Sequence, residues 1–149
     1  MSRKRCHRQA LLALPPRGMR RKLPASKVTT IAIAHMQNLD DVMSGKATVQ
    51  VLWDMAESVF TWMRVAEVLG QGVEEMAPQL EVAAAVIERF GRTGRIGFSG
   101  LEYQKAKHGV QVMDELAAIV DADTAKAAAA WSDRKLAALV SAERQKETA

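Results

Sequence analysis

The ten residues from Gly91 to Gly100 read GRTGRIGFSG, with glycine at every third position and arginine at 92 and 95. Backbone amides in such a stretch can cradle phosphate, provided its neighbours supply the rest of the chemistry. A Walker loop needs a lysine followed by serine or threonine, one to reach the phosphates and the other to hold Mg²⁺. Neither is present. A dinucleotide-binding glycine turn follows a strand, whereas the residues before Gly91 have a helical period. The spacing therefore predicts a connector. Gly91 or Gly94 closes one helix in a left-handed conformation, and Ser99, three residues before Glu102, opens the next with a capping box. Arg92 and Arg95 remain as a secondary contact for an anion.

The other reactive side chains lack partners at catalytic spacing. His7, His35 and His108 have no glutamate three residues before them, as a di-iron bundle requires, and no HExxH occurs. Cys6 and His7 are adjacent, the wrong spacing for tetrahedral zinc. Ser44, Ser58, Ser99, Ser132 and Ser141 stand outside any GxSxG elbow. His35, four residues from both Ile31 and Leu39, reads as a partly buried structural histidine, and His108, beside Lys105 and Lys107, as a solvated one. Trp53, Trp62 and Trp131 read as core or edge residues, and the methionines as core filler. No catalytic residue, metal ligand or cofactor is predicted.

Charge is the stronger signal. Residues 1–27 contain Arg3, Lys4, Arg5, Arg8, Arg17, Arg20, Arg21, Lys22 and Lys27 and no acid, a net of +9. The remaining 122 residues hold the other twelve basic residues and all seventeen acids, a net of −5. This describes a basic arm, 1–27, on an acidic body, 28–149. Three of the four prolines lie in the arm, which predicts extended or turn backbone. The arm's apolar run, Ala10 to Leu14, is shorter than the roughly 7–15 residues of an export signal. No segment approaches the roughly 18 apolar residues of a membrane span, and the single cysteine requires no oxidising compartment. A reducing cytoplasm is the expected location, which the resemblance given below narrows to a bacterial one.

The body must then position whatever binds. Its 48% hydrophobic content with only 5% aromatics favours close-packed helices over a sheet. The period predicts helix one from a Ser26 cap through Val28, Ile31, His35, Leu39 and Val42 to Gly45. Helix two carries Leu52, Met55, Ala56, Val59, Met63, Ala66 and Leu69 and ends at Gly70. Helix three spans about 73–90, with Pro78 loosening its first turn. Helix four follows Ser99 along Leu101, Ala106, Val110, Met113, Leu116, Ala117 and Val120. Helix five is capped by Asp121 or Asp123. The prediction is an all-α antiparallel bundle of about five helices. A faint helix-turn-helix pattern spans Glu115 to Asp133, where Lys126, Arg134 and Lys135 suit phosphate rather than base edges.

The segments RKRCHRQ, LPPRGMRRKLPAS, HMQNLDDVMSGKA, WDMAESVFTWMRVAEVLGQG and FSGLEYQKAKHGVQVMDEL together resemble uncharacterised small proteins of prophages and integrated elements of β-proteobacteria. The resemblance implies a phage accessory protein and carries over no catalytic residues. Two functions fit the charge pattern. In one, Arg3, Lys4, Arg5, Arg8, Arg17, Arg20, Arg21 and Lys22 lie along nucleic-acid phosphates. In the other, the chain is a modulator or inhibitor of a host or defence protein.

Overall fold

Capping residues and glycines mark where each helix begins and ends. The computed structural model describes residues 21–148, which form five helices: α1 Ala25–Met43, α2 Val49–Leu69, α3 Val73–Thr93, α4 Gly100–Ile119 and α5 Ala122–Thr148. Gly45, Gly70, Gly72 and Gly94 have positive φ, and three of them close α1, α2 and α3 as the sequence predicts. Thr48 caps α2 through its hydroxyl, and Ser99 and Glu102 form the expected capping box on α4. α1 departs from expectation, because Pro24 rather than Ser26 precedes its first turn. Its extended backbone, φ −57° and ψ 145°, starts the ladder through a carbonyl that accepts from Lys27 and Val28. Helix thus begins at Ala25, and Leu23 already packs against the core.

α3 runs through Pro78 without a break and extends to Thr93. Proline there removes one amide donor in the second turn, and the buried Met76 and Gln79 on either side hold the turn in place. Links of a few residues reverse the chain between successive helices. α1, α2, α3 and α4 pack each on the next, and α1 closes the ring on α4. α2 also meets α4 across the bundle, while α5 lies against α2 alone.

The core falls into two clusters. One holds Val59, Trp62, Val65, Ala66, Met76, Val112, Met113, Leu116 and Val120, and the other holds Leu39, Leu52, Val82, Val86, Ala106 and Val110. Of the stripe expected on α2, Leu52, Ala56, Val59 and Ala66 are buried and Met55, Met63 and Leu69 partly so, while Trp62 and Val65 are buried beside it. On α4 the expected core residue Leu101 is 68% exposed, since a residue two past the cap turns away from the neighbouring helices. Gly109 takes its share of the interface: the Gln79 side chain lies where a Cβ would stand and donates from Nε2 to the Lys105 carbonyl at 2.8 Å.

Candidate functional site

The glycine stretch is held as a connector, and the holding residue is one the sequence reading passed over. Arg89, near the end of α3, donates from Nη1 to the Gly97 carbonyl and forms a two-pronged pair with Glu102, each contact 2.8 Å. Glu102 also accepts from the Ser99 amide. One carboxylate therefore caps α4 and anchors the link to α3. The arginine, with the cap hydrogen bonds, holds the Glu102 carboxyl below its ordinary range, and Glu102 raises Arg89 in turn. Ile96 and Phe98 of the link pack against the second core cluster. Gly94, not Gly91, takes the left-handed position. Arg92 reaches back to Glu88 at 3.4 Å, and Arg92 and Arg95 are both exposed. Among the described residues, the arginine of this region that makes a two-pronged contact is Arg89, and its partner is the Glu102 carboxylate.

His35 is 6% exposed and joins three helices. Trp62 on α2 donates from Nε1 to His35 Nε2 at 3.1 Å, and His35 Nδ1 lies 3.2 Å from Asp114 Oδ1 on α4. An indole only donates and a carboxylate only accepts, so the neutral imidazole with its proton on Nδ1 satisfies both contacts. Burial lowers the affinity of His35 for a second proton, outweighing the Asp114 hydrogen bond and charge that act the other way. Both ring nitrogens are occupied, so His35 has no free nitrogen to act as a base. Beside it, where the two core clusters meet, His35, Asn38, Ser58 and Gln79 border a cavity of about 30 Å³. That is room for a water molecule, for which roughly 10–15 Å³ suffices. His108, on the outer side of α4, is exposed as expected.

The α4–α5 junction is also built for structure. Asp121 accepts from the Thr124 amide at 2.9 Å and its hydroxyl at 2.7 Å, which caps α5. The link between α4 and α5 is Val120 and Asp121 alone, shorter than the turn of a helix-turn-helix. Thr124, Ala128 and Ser132 form the buried face of α5, so the would-be recognition helix is committed to α2 along that side. Against the expectation that no serine stands in an S-x-x-K pattern, Ser132 and Lys135 have that spacing, which some serine hydrolases use. Ser132 is fully buried and donates to the Glu57 carbonyl at 3.1 Å, while Lys135 is exposed. The pair is not a nucleophile and its base. Trp131 is partly buried under Arg64, whose guanidinium lies 5.4 Å above its ring.

Of the basic residues expected to bind phosphate, Arg3, Lys4, Arg5, Arg8, Arg17 and Arg20 lie outside the described residues, as do Cys6 and His7. Arg21 and Lys22 are exposed, and their backbone is tied to the α4–α5 junction: the Ala122 amide donates to the Arg21 carbonyl at 2.8 Å, and Lys22 bridges Asp121. The described end of the basic segment is thus tied to this junction. Exposed apolar residues are a second surface feature that the period alone did not mark. Ile33, Met36 and Met43 recur along the outer side of α1, and Val49 and Trp53 open α2. Among the described residues no group of His, Cys, Asp and Glu is placed to hold a metal ion, and no helix is long and apolar enough to cross a membrane. Comparison with family models, curated proteins and solved structures found no match to this chain.

Proposed function

We propose that this chain is a non-enzymatic phage or prophage accessory protein of the bacterial cytoplasm that binds nucleic acid through its basic N-terminal segment. The observation that carries the reading is the partition of charge, nine basic residues and no acid in residues 1–27 against a net of −5 in the rest. The tie between Arg21 and Ala122 adds to it, since a segment fixed at its base can follow a phosphate backbone without disturbing the helices. Phosphate neutralisation releases counterions, so affinity is tolerant of sequence and falls steeply with salt. If about five phosphates of a duplex are contacted, log affinity plotted against log salt has a slope near −4 to −5, at about 0.9 per contact. Fluorescence anisotropy on a random-sequence duplex measures this. Alanine at Arg3, Lys4, Arg5 and Arg8 flattens the slope without loss of helicity. Absence of binding to DNA and RNA at low salt rules the reading out.

The alternative is a modulator or inhibitor that binds a host or defence protein, and the exposed Ile33, Met36, Met43 and Trp53 favour it. Methionine and tryptophan are common at adaptable partner surfaces. Affinity capture from host lysate, with and without nuclease, separates the two. A partner retained after nuclease treatment supports the alternative, and one lost with the nucleic acid supports the first.

A further inference from the structure

α1 is lightly held for a member of the ring: of its nineteen residues only His35, Leu39 and Val42 are buried, and it packs on α2 and α4 alone. Leu39 joins the second core cluster and Val28 and Ile31 pack against the first, while His35 makes the polar tie to both helices. We propose that the Asp114–His35–Trp62 relay is an acid-sensitive latch, in which uptake of one proton at His35 Nε2 breaks its bond from Trp62 and loosens α1 while α2, α3 and α4 stay packed. The donors and acceptors fix the direction. Trp62 offers an N–H and nothing else, so it can bond Nε2 only while that nitrogen keeps its lone pair. A protonated ring directs a second N–H at the indole N–H, with the two nitrogens 3.1 Å apart. Asp114 stabilises the cation from the opposite side only, and it is itself 33% exposed.

Around the ring, α2 presents Trp62 and, across the adjoining cavity, Ser58; α3 presents Gln79; α4 presents Asp114. Asp114 is the one ionisable group among them and, among the described residues, the charge that acts on His35. Burial prevails over it, so the closed form takes up the proton less readily than the open form, whose histidine has the ordinary value of 6.5. Closure is therefore at full strength above pH 6.5. It weakens as pH falls from there toward the depressed value, by up to about tenfold in the opening equilibrium per pH unit for a single proton. Buried imidazoles poised in this way are a recurrent basis for acid switches.

The test uses the full chain. Nuclear magnetic resonance reports the His35 tautomer and titration, and amide exchange gives protection factors for residues 31–42 of α1 against 82–90 of α3. The expected result is a neutral Nδ1–H ring at pH 7 that titrates below 6.5. Protection in α1 falls by up to about tenfold per unit below pH 6.5, and protection in α3 holds. His35→Gln, whose amide accepts from Trp62 and donates to Asp114, removes the pH dependence of α1. Should that variant fold poorly, Asp114→Asn serves instead: it keeps an acceptor, removes the favourable charge, and moves the His35 titration further down. Titration of His35 at or above 6.5, equal loss of protection in α1 and α3, pH dependence persisting in a folded His35→Gln, or an unmoved titration in Asp114→Asn overturns the latch.

Discussion

α2 is held on two sides by different means. Toward α1, α3 and α4 it buries Leu52, Val59, Trp62 and Val65 among large side chains, with one polar layer at His35 and Gln79. Toward α5 it meets Thr124, Ala128 and Ser132, three small residues at four-residue steps, with Trp131 and Phe60 at the edge. Large side chains bring hydrophobic stabilisation in proportion to area, whereas small ones bring backbones close for little area. On this ground we expect the four-helix ring to be the more stable unit and α5 to open first. His35 bonds Trp62 and Asp114, whereas Gln79 and Ser132 donate to the Lys105 and Glu57 carbonyls. Binding is proposed for the basic segment on its charge alone, nine basic residues and no acid in residues 1–27.

Gly109→Ala forces a Cβ into the space of the Gln79 side chain and takes that side chain off the Lys105 carbonyl, so a cost toward the upper part of the ~1–3 kcal/mol typical of overpacking is expected. Urea denaturation measures it, and a midpoint unchanged from wild type contradicts the packing described. On the other side, Ser132→Leu sets a large side chain against α2 where Ser132 is fully buried. About 1 kcal/mol is expected, expressed as faster proteolysis within α5 while the ring melts as before. Cleavage that is no faster, or a ring that melts early, means that α5 belongs to the same cooperative unit.

Gly94→Ala is expected to cost about 1 kcal/mol because its backbone is left-handed, φ +71°. Gly97, with no such constraint and open space around it, tolerates alanine. Thermal melts of the two variants should therefore differ.

The smallest effect is one of pH. Burial, the Asp133 hydrogen bond and the charges of Asp133 and Asp54 raise Glu57 above its ordinary 4.5, so its proton favours the docked form. That contribution is complete below 4.5 and is lost as pH rises through the raised value. It is opposite in sign to the effect of acid on His35. Protection of α5 amides relative to α3 should thus increase from pH 7 to 5, and Glu57→Gln should flatten the trend. An increase of the same size in the variant assigns the effect to another group.

Much of this architecture was legible in the chain. Helix ends were marked by residues with local physical causes, glycine at positive φ after α1, α2 and α3 and a serine–glutamate pair before α4. The histidine on the apolar stripe of α1 was read as structural, and both its nitrogens prove to be bonded. What was missed depends on pairs distant in sequence. Arg89 becomes the clamp of GRTGRIGFSG only once α4 brings Glu102 to it, and Gly109 becomes a packing position only once α3 brings Gln79. The period of α2 did not show that it is packed on several sides, so Trp62 and Val65 lay outside its expected stripe. Pro24 displaced Ser26 as the start of α1 because a residue with fixed φ serves there without a side-chain cap.

In the proposed function the helices are a scaffold and binding resides in the basic segment. Deleting residues 1–20 tests it most directly, because it removes six of the eight residues expected to contact phosphate and none of the described helices. Anisotropy with a duplex at low salt, beside circular dichroism of the same sample, should show binding by the full chain and none by the shortened one, with helicity per molecule and melting little changed. Undiminished binding by the shortened chain contradicts the claim and transfers the site to the bundle, with Arg92, Arg95 and the face of α5 that carries Lys126 and Lys135 the first places to look.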